Sequence, residues 1–168
     1  MKSTLQKGYT LVELVVAIAI MSLAIAAIGL TLSMVYRESI VNKNWSLAVG
    51  QADQAGRWIS RDVQSAAEVT AWSPSTWQCS MKRYSWNGSG MDNITISYVI
   101  DIDNNLRRQV NGVQPGMVVA QFIDGTGTNT NFTKLVSDNT TTYILNVRSV
   151  YGNVPYSKQY RIYQRALK

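Results

Sequence analysis

From Leu14 to Val35 the chain runs for 22 residues without a charged side chain, and Glu13 stands directly at the mouth of that run. As a helix rising about 1.5 Å per residue, the run reaches roughly 33 Å. That matches a bilayer core of about 30 Å, so the expectation is one membrane-spanning helix. Lys2 and Lys7 precede the span. Short basic flanks stay cytoplasmic, which places the C-terminal part outside, in a single-pass arrangement. Arg37 and Lys43 follow the span and make this charge bias modest. A cleaved secretory signal is the competing reading, with Ala24-Ile25-Ala26 as its small-residue cut site. It conflicts with the apolar character that continues to Val35 and with an acid inside the would-be signal core.

A carboxylate in a bilayer costs about 2.5–3.5 kcal/mol at the centre of a helix and less at the interface. Such groups usually have a partner, which makes Glu13 a functional candidate. The bland alternative is a last interfacial residue, against which Leu11 and Val12 stand on its N-terminal side. The segment Lys7-Gly8-Tyr9-Thr10-Leu11-Val12-Glu13-Leu14, followed by an apolar helix, resembles the class III signal of type IV pilins and pseudopilins. The resemblance implies that a prepilin peptidase cuts after Gly8 and N-methylates Tyr9. It further implies that Glu13 pairs with the new amino group of Tyr9 in a neighbouring subunit, with other pilin subunits and an inner-membrane assembly machinery as partners. Elementary electrostatics agrees, because a carboxylate in a low-dielectric setting gains from a cationic partner. Within one helix the same two groups lie about one turn apart, so an intramolecular pair is also open.

Net charge is +6, and removal of Met1 to Gly8 would leave 14 basic against 10 acidic side chains, or +4. This mild balance reads as a solvated surface rather than a nucleic-acid footprint. Cys79 is the one cysteine, which leaves no intrachain disulfide, whereas many major pilins close a C-terminal loop with one. The chain has no histidine, which excludes His-based acid–base catalysis and His metal ligands. No phosphate loop, nucleophile elbow or paired-cysteine metal spacing is present. The expectation is no enzyme, no cofactor and no metal.

From Tyr36 to about Ala71 there is no proline, and apolar or small residues recur at Trp45, Ala48, Ala52, Ala55, Ile59, Val63 and Ala66. This spacing predicts that the span continues as an amphipathic helix over 36–71. Asp53 and Arg57 are spaced as a surface pair. Gly50 and Gly56 mark points of local bending, and Ser73-Pro74-Ser75 is the expected stop. A helix from Tyr9 to about Ala71 would be roughly 90 Å long, more than a small domain can bury. The expected layout is a leader over 1–8, a span over 9–35, the amphipathic half over 36–71 and a β-sheet domain over 72–168. Alternation over Ile94 to Ile102, a turn at Asp103-Asn104-Asn105 and a return over Leu106 to Val110 predict a hairpin. Asn111-Gly112 marks a further turn, Met117 to Ile123 an extended segment, and Gly125 to Asn131 a loop. Thr141 to Tyr151 and Tyr156 to Gln164 complete an antiparallel sheet of four or more strands packed on the helix. The fold class is α+β, the pilin fold if the resemblance holds.

The helix segment Arg57 to Ala66 and the hairpin Ile96 to Arg108 resemble, more loosely, larger minor pilins and J-type pseudopilins, which favours a minor over a major subunit. Many major pilins carry a helix-breaking proline within the span; this chain has none, and Gly29 is its one weak point. Lys82, Arg83, Arg107, Arg108, Arg161 and Arg165 sit among aromatics and are candidates for DNA contact. The five tryptophans read first as core or interface residues. Three functions stand side by side: a structural filament subunit, a tip adhesin or DNA-uptake receptor acting through loops near Gly125 to Asn139, and an unrelated membrane-anchored exported domain.

Overall fold

A computed structural model describes residues 10–73, 78–86, 88–126, 129–137 and 140–164. The chain falls into two compact units, Met1–Asn42 and Lys43–Lys168. One helix, α1 (Leu11–Ser65), precedes eight strands: β1 (Glu68–Ser73), β2 (Gln78–Trp86), β3 (Met91–Ile100), β4 (Leu106–Val110), β5 (Met117–Ala120), β6 (Asn131–Ser137), β7 (Thr140–Tyr151) and β8 (Val154–Tyr163). This is an α+β arrangement of one long apolar helix followed by antiparallel sheets, in keeping with the pilin fold.

In the N-terminal unit the described part of α1 exposes its apolar side chains, from Leu11 at 78% to Val41 at 52%. This stretch is long and apolar enough to cross a membrane. Its polar interruptions bond back onto the helix. Ser22 donates to the carbonyl of Ala19 at 2.8 Å, Thr31 to Ala27 at 2.9 Å and Ser33 to Leu30 at 2.8 Å. These three hydroxyls are thereby not left to be desolvated alone, which suits a helix in lipid or among other helices.

In the second unit the helix ends earlier than the sequence suggests. Instead of running to about Ala71, α1 stops at Ser65 and the chain turns into β1. Ala66-Ala67-Glu68 would tolerate a helix, but tertiary pairing wins. The Ala67 amide donates to the Lys82 carbonyl at 2.8 Å, and Glu68, Val69 and Thr70 pair with Lys82, Met81 and Ser80. The carbonyls at the helix exit are capped from just past β8, where the Gln164 amide donates to Ala66 at 2.7 Å and Ala67 at 3.1 Å. Ser73 therefore ends β1 rather than the helix, and 74–77 lie outside the described residues.

The strands form two sheets instead of one, five-stranded β1-β2-β3-β4-β5 and three-stranded β6-β7-β8. Besides β1, which was expected to be helix, two strands were not legible in the sequence. β2 alternates Cys79 and Met81 inward against Lys82 and Tyr84 outward, and its polar composition hides that pattern. β6 occupies Asn131–Ser137, within the stretch to Asn139 expected to be ligand-binding loop, and pairs residue for residue with β7. The turns hold as expected. Asn111 and Gly112 both take positive φ in a turn that follows β4, and Gly152 and Asn153 do so between β7 and β8, where a tight two-residue hairpin requires it.

Ala52, Ala55, Ile59 and Val63 line the buried face of α1 and join residues of both sheets in one core. Gly56 is a packing position rather than a bend: a Cβ there would fall inside the ring of Tyr160. Within this core sits a carboxylate. Asp62 is 2% exposed, accepts hydrogen bonds from the Tyr98 hydroxyl and the Arg108 Nε, each at 2.6 Å, and is approached by Arg108 Nη2 at 3.4 Å. Tyr98 and Arg108 are cross-strand partners, so one acid ties α1 to β3 and β4 together. Burial and the Asp62 charge push the Tyr98 phenol up, and the Asp62 hydrogen bond pushes Arg108 up. A second acid ties α1 to β8. Asp53 accepts from Lys158 at 2.8 Å and from Tyr160 at 2.7 Å, which replaces the expected Asp53–Arg57 pair.

Arg108→Ala, which strands the Asp62 carboxylate in the core, should cost about 3–5 kcal/mol; Tyr98→Phe should cost about 1–3 kcal/mol. Chemical denaturation of the full chain in detergent measures both. Hydrogen bonds from Lys158 and Tyr160 lower the Asp53 pKa. Burial raises Asp101, but hydrogen bonds from Asn105 and Arg107 outweigh it and the net shift is downward. At Asp124 burial is likewise outweighed, by hydrogen bonds from Thr126. Folded values below the unfolded value of about 3.9 mean that these groups stabilise the fold above that pH. Stability should therefore be lost as pH falls from about 4 through the lower folded values. Unfolding curves across this range should show an acid limb that Asp53→Asn and Asp101→Asn flatten.

Candidate functional site

Gly8 and Tyr9, the residues on either side of the expected cut, lie outside the described residues, and the site is built from Thr10 onward. α1 begins at Leu11, which makes Thr10 its N-cap and Glu13 its third residue. The two close a reciprocal box. The Glu13 amide donates to Thr10 Oγ1 at 3.3 Å, while the Thr10 amide and hydroxyl donate to Glu13 Oε2 at 2.9 and 3.0 Å. The Leu14 amide closes the first turn onto the Thr10 carbonyl at 3.2 Å. A threonine followed three residues later by a glutamate is the sequence form of a capping box, a signal present in Thr10-Leu11-Val12-Glu13 that the reading of Glu13 as a costly charge passed over.

This geometry changes what Glu13 needs. Its carboxylate sits at the positive end of the helix dipole and accepts two local hydrogen bonds. The charge at the mouth of the span is thus partly satisfied within its own chain. The bonds come from Thr10, the residue that follows Tyr9 in the sequence.

The basic residues singled out for DNA contact do not converge. Lys82 pairs with Glu68 at 3.0 Å, Arg107 with Asp101 at 2.6 Å, and Arg108 is the core partner of Asp62. Adjacent strand residues alternate faces, so Lys82 and Arg83, and likewise Arg107 and Arg108, point opposite ways. Arg161 belongs to the other sheet, in a shallow groove with Leu135, Ile144 and Tyr163. Arg165 lies outside the described residues.

Cys79 is buried in β2, and burial pushes its thiol up to about 12, so it is an inert core residue. Trp45 packs edge-on to Tyr156 with ring centroids 6.1 Å apart, and Trp58 lies beneath the guanidinium groups of Arg61 and Arg108. Trp86 is 67% exposed; the side chains of Trp72 and Trp77 lie outside the described residues.

No curated protein and no solved structure matches this chain. Residues 4–32 match the family model of the prokaryotic N-terminal methylation motif. That stretch holds the Gly8–Tyr9 junction, the Thr10–Glu13 box and most of the apolar run. Residues 4–32 thus carry the methylation motif that is the class III signal of type IV pilins, and the match is to that N-terminal stretch.

Proposed function

We propose that this protein is a structural subunit, a minor pilin or pseudopilin, of a type IV pilus-like filament and acts in filament assembly or initiation. Cleavage after Gly8 removes 1–8 and leaves an N-methylated Tyr9. The span over 9–35 holds the subunit in the membrane before assembly, with the sheet domain on the outer side. In the filament the same apolar surface packs against the helices of other subunits. The observation that carries this reading is the pairing of an apolar helical stretch exposed from Leu11 to Val41 with an acid held at its first turn by Thr10. An exposed apolar surface of this length does not serve a free soluble domain.

In this reading Glu13 exchanges partners. In the lone subunit it caps α1 through Thr10; in the filament it meets the amine of Tyr9 from a neighbour, a partner that carries a full charge. Capping residues of this kind are worth about 1 kcal/mol, so the exchange forfeits little. The alternative of a DNA-uptake receptor has less behind it, since Lys82, Arg107 and Arg108 already face carboxylates of the same chain.

Mass spectrometry of the mature chain should find a methylated Tyr9 at the N-terminus; an intact Met1 or a start at Ala27 would overturn the processing scheme. Two substitutions separate capping from charge. Glu13→Gln keeps a residue that closes the box but removes the charge, whereas Glu13→Val removes both. Both variants should insert and be cleaved, and both should enter filaments poorly. Normal incorporation of Glu13→Gln would leave capping, not intersubunit pairing, as the role of this residue.

A further inference from the structure

Gln54, Arg57, Trp58 and Arg61 line an open groove of ≈ 410 Å³ on the outer side of α1 in the second unit. Arg57 and Arg61 are both exposed and lie one helical turn apart. Like charges at that spacing destabilise a helix. The sequence offers a remedy in Asp53, one turn before Arg57, but the fold diverts that carboxylate to Lys158 and Tyr160 at 2.8 and 2.7 Å. The remaining acid of this stretch, Asp62, is turned inward onto Tyr98 and Arg108. Among the described residues no ion pair includes Arg57 or Arg61. The groove is thus a local positive site whose two natural counter-ions are engaged elsewhere.

Its parts are also partly ordered in advance. The Arg61 guanidinium lies over the Trp58 ring, 5.3 Å from the centroid, and Arg108 is 5.7 Å from the same ring. A stacked guanidinium loses less freedom on binding than a free one, and its planar fork matches a carboxylate. Gln54 adds an amide that can both donate and accept.

We propose that this groove is a docking site for an acidic segment of a partner protein, one that presents two neighbouring carboxylates to Arg57 and Arg61 while an aliphatic stem packs on Trp58. Charge complementarity names the ligand class. The extent of the charge separates it from nucleic acid, whose binding draws on cations that follow a run of phosphates. Here the cation on the adjoining strand, Lys158, is matched by Asp53. The site goes beyond the filament reading and does not depend on it: N-terminal processing can fail while the groove binds, and the reverse.

The test uses the full chain in detergent micelles, with tryptophan fluorescence as the readout and Trp58→Phe to identify the responding ring. The probes are a blocked tetrapeptide with two adjacent glutamates, its glutamine counterpart and a thymidine oligonucleotide. The glutamate peptide should bind saturably in the millimolar range and the glutamine peptide should not. Arg57→Gln and Arg61→Gln should each weaken binding roughly tenfold. Arg57→Gln should leave the melting temperature unchanged or raise it, because a like-charge contact has been removed. Absence of saturable binding at about 10 mM glutamate peptide would overturn the proposal. So would tighter, salt-sensitive binding of the oligonucleotide, or a fall of several degrees in melting temperature for Arg57→Gln, which would make that residue structural.

Discussion

A carboxylate in the core decides how the second unit is put together. Asp62 is buried on the inner face of α1, where it accepts from Tyr98 and Arg108 on neighbouring strands. A buried acid without partners is far more costly than a hydrophobic residue in its place, so the helix tolerates Asp62 only in one register against β3 and β4. Apolar contacts from Ile59 and Val63 supply adhesion, about 1.5–3 kcal/mol for each fully buried side chain, but slide without large penalty. The ion pair does not slide. Asp53 adds a second, more exposed tie to β8 and leaves the outer face of the same helix positive.

The two ends of α1 obey different rules. Toward the N-terminus apolar side chains are exposed, and the serines and threonine among them bond to their own helix. Such a surface is stable only in lipid or against other apolar helices. Toward the C-terminus the helix narrows to alanine and glycine where the sheet comes close, and Tyr160 occupies the space that a side chain at Gly56 would need. Glu13 stands at the start of the exposed region, its charge moderated by Thr10 and by the helix dipole. That arrangement lets an acid reside beside a membrane span.

Much of this was legible in the chain itself. The span, the acid at its mouth, the long helix behind it, the β3–β4 hairpin and the last two strands follow from spacings of two, three or four residues and from Asn-Gly and Gly-Asn turns. The capping box was equally local and equally readable in Thr10 and Glu13. β2 and β6 were not, since Ser80, Lys82, Thr133 and Lys134 dilute their apolar alternation and only pairing with β3 and β7 holds them extended. The end of α1 was misplaced for a related reason: Ala66, Ala67 and Glu68 favour a helix by propensity, and Lys82 and Gln164 override it.

The sequence by itself determined that a chain of this kind has an uncharged helical anchor, an acid at its first turn and an antiparallel sheet to follow, because these depend on neighbours within a turn or a hairpin. Only the tertiary structure decided which charges are consumed inside the protein and which face outward. Asp62 and Arg108 lie 46 residues apart and Asp53 and Lys158 lie 105 apart. No local pattern distinguishes Arg108, fixed in the core, from Arg57, left on the surface. That assignment is made by folding, when each carboxylate gives up water only for the cation that the strands bring to it.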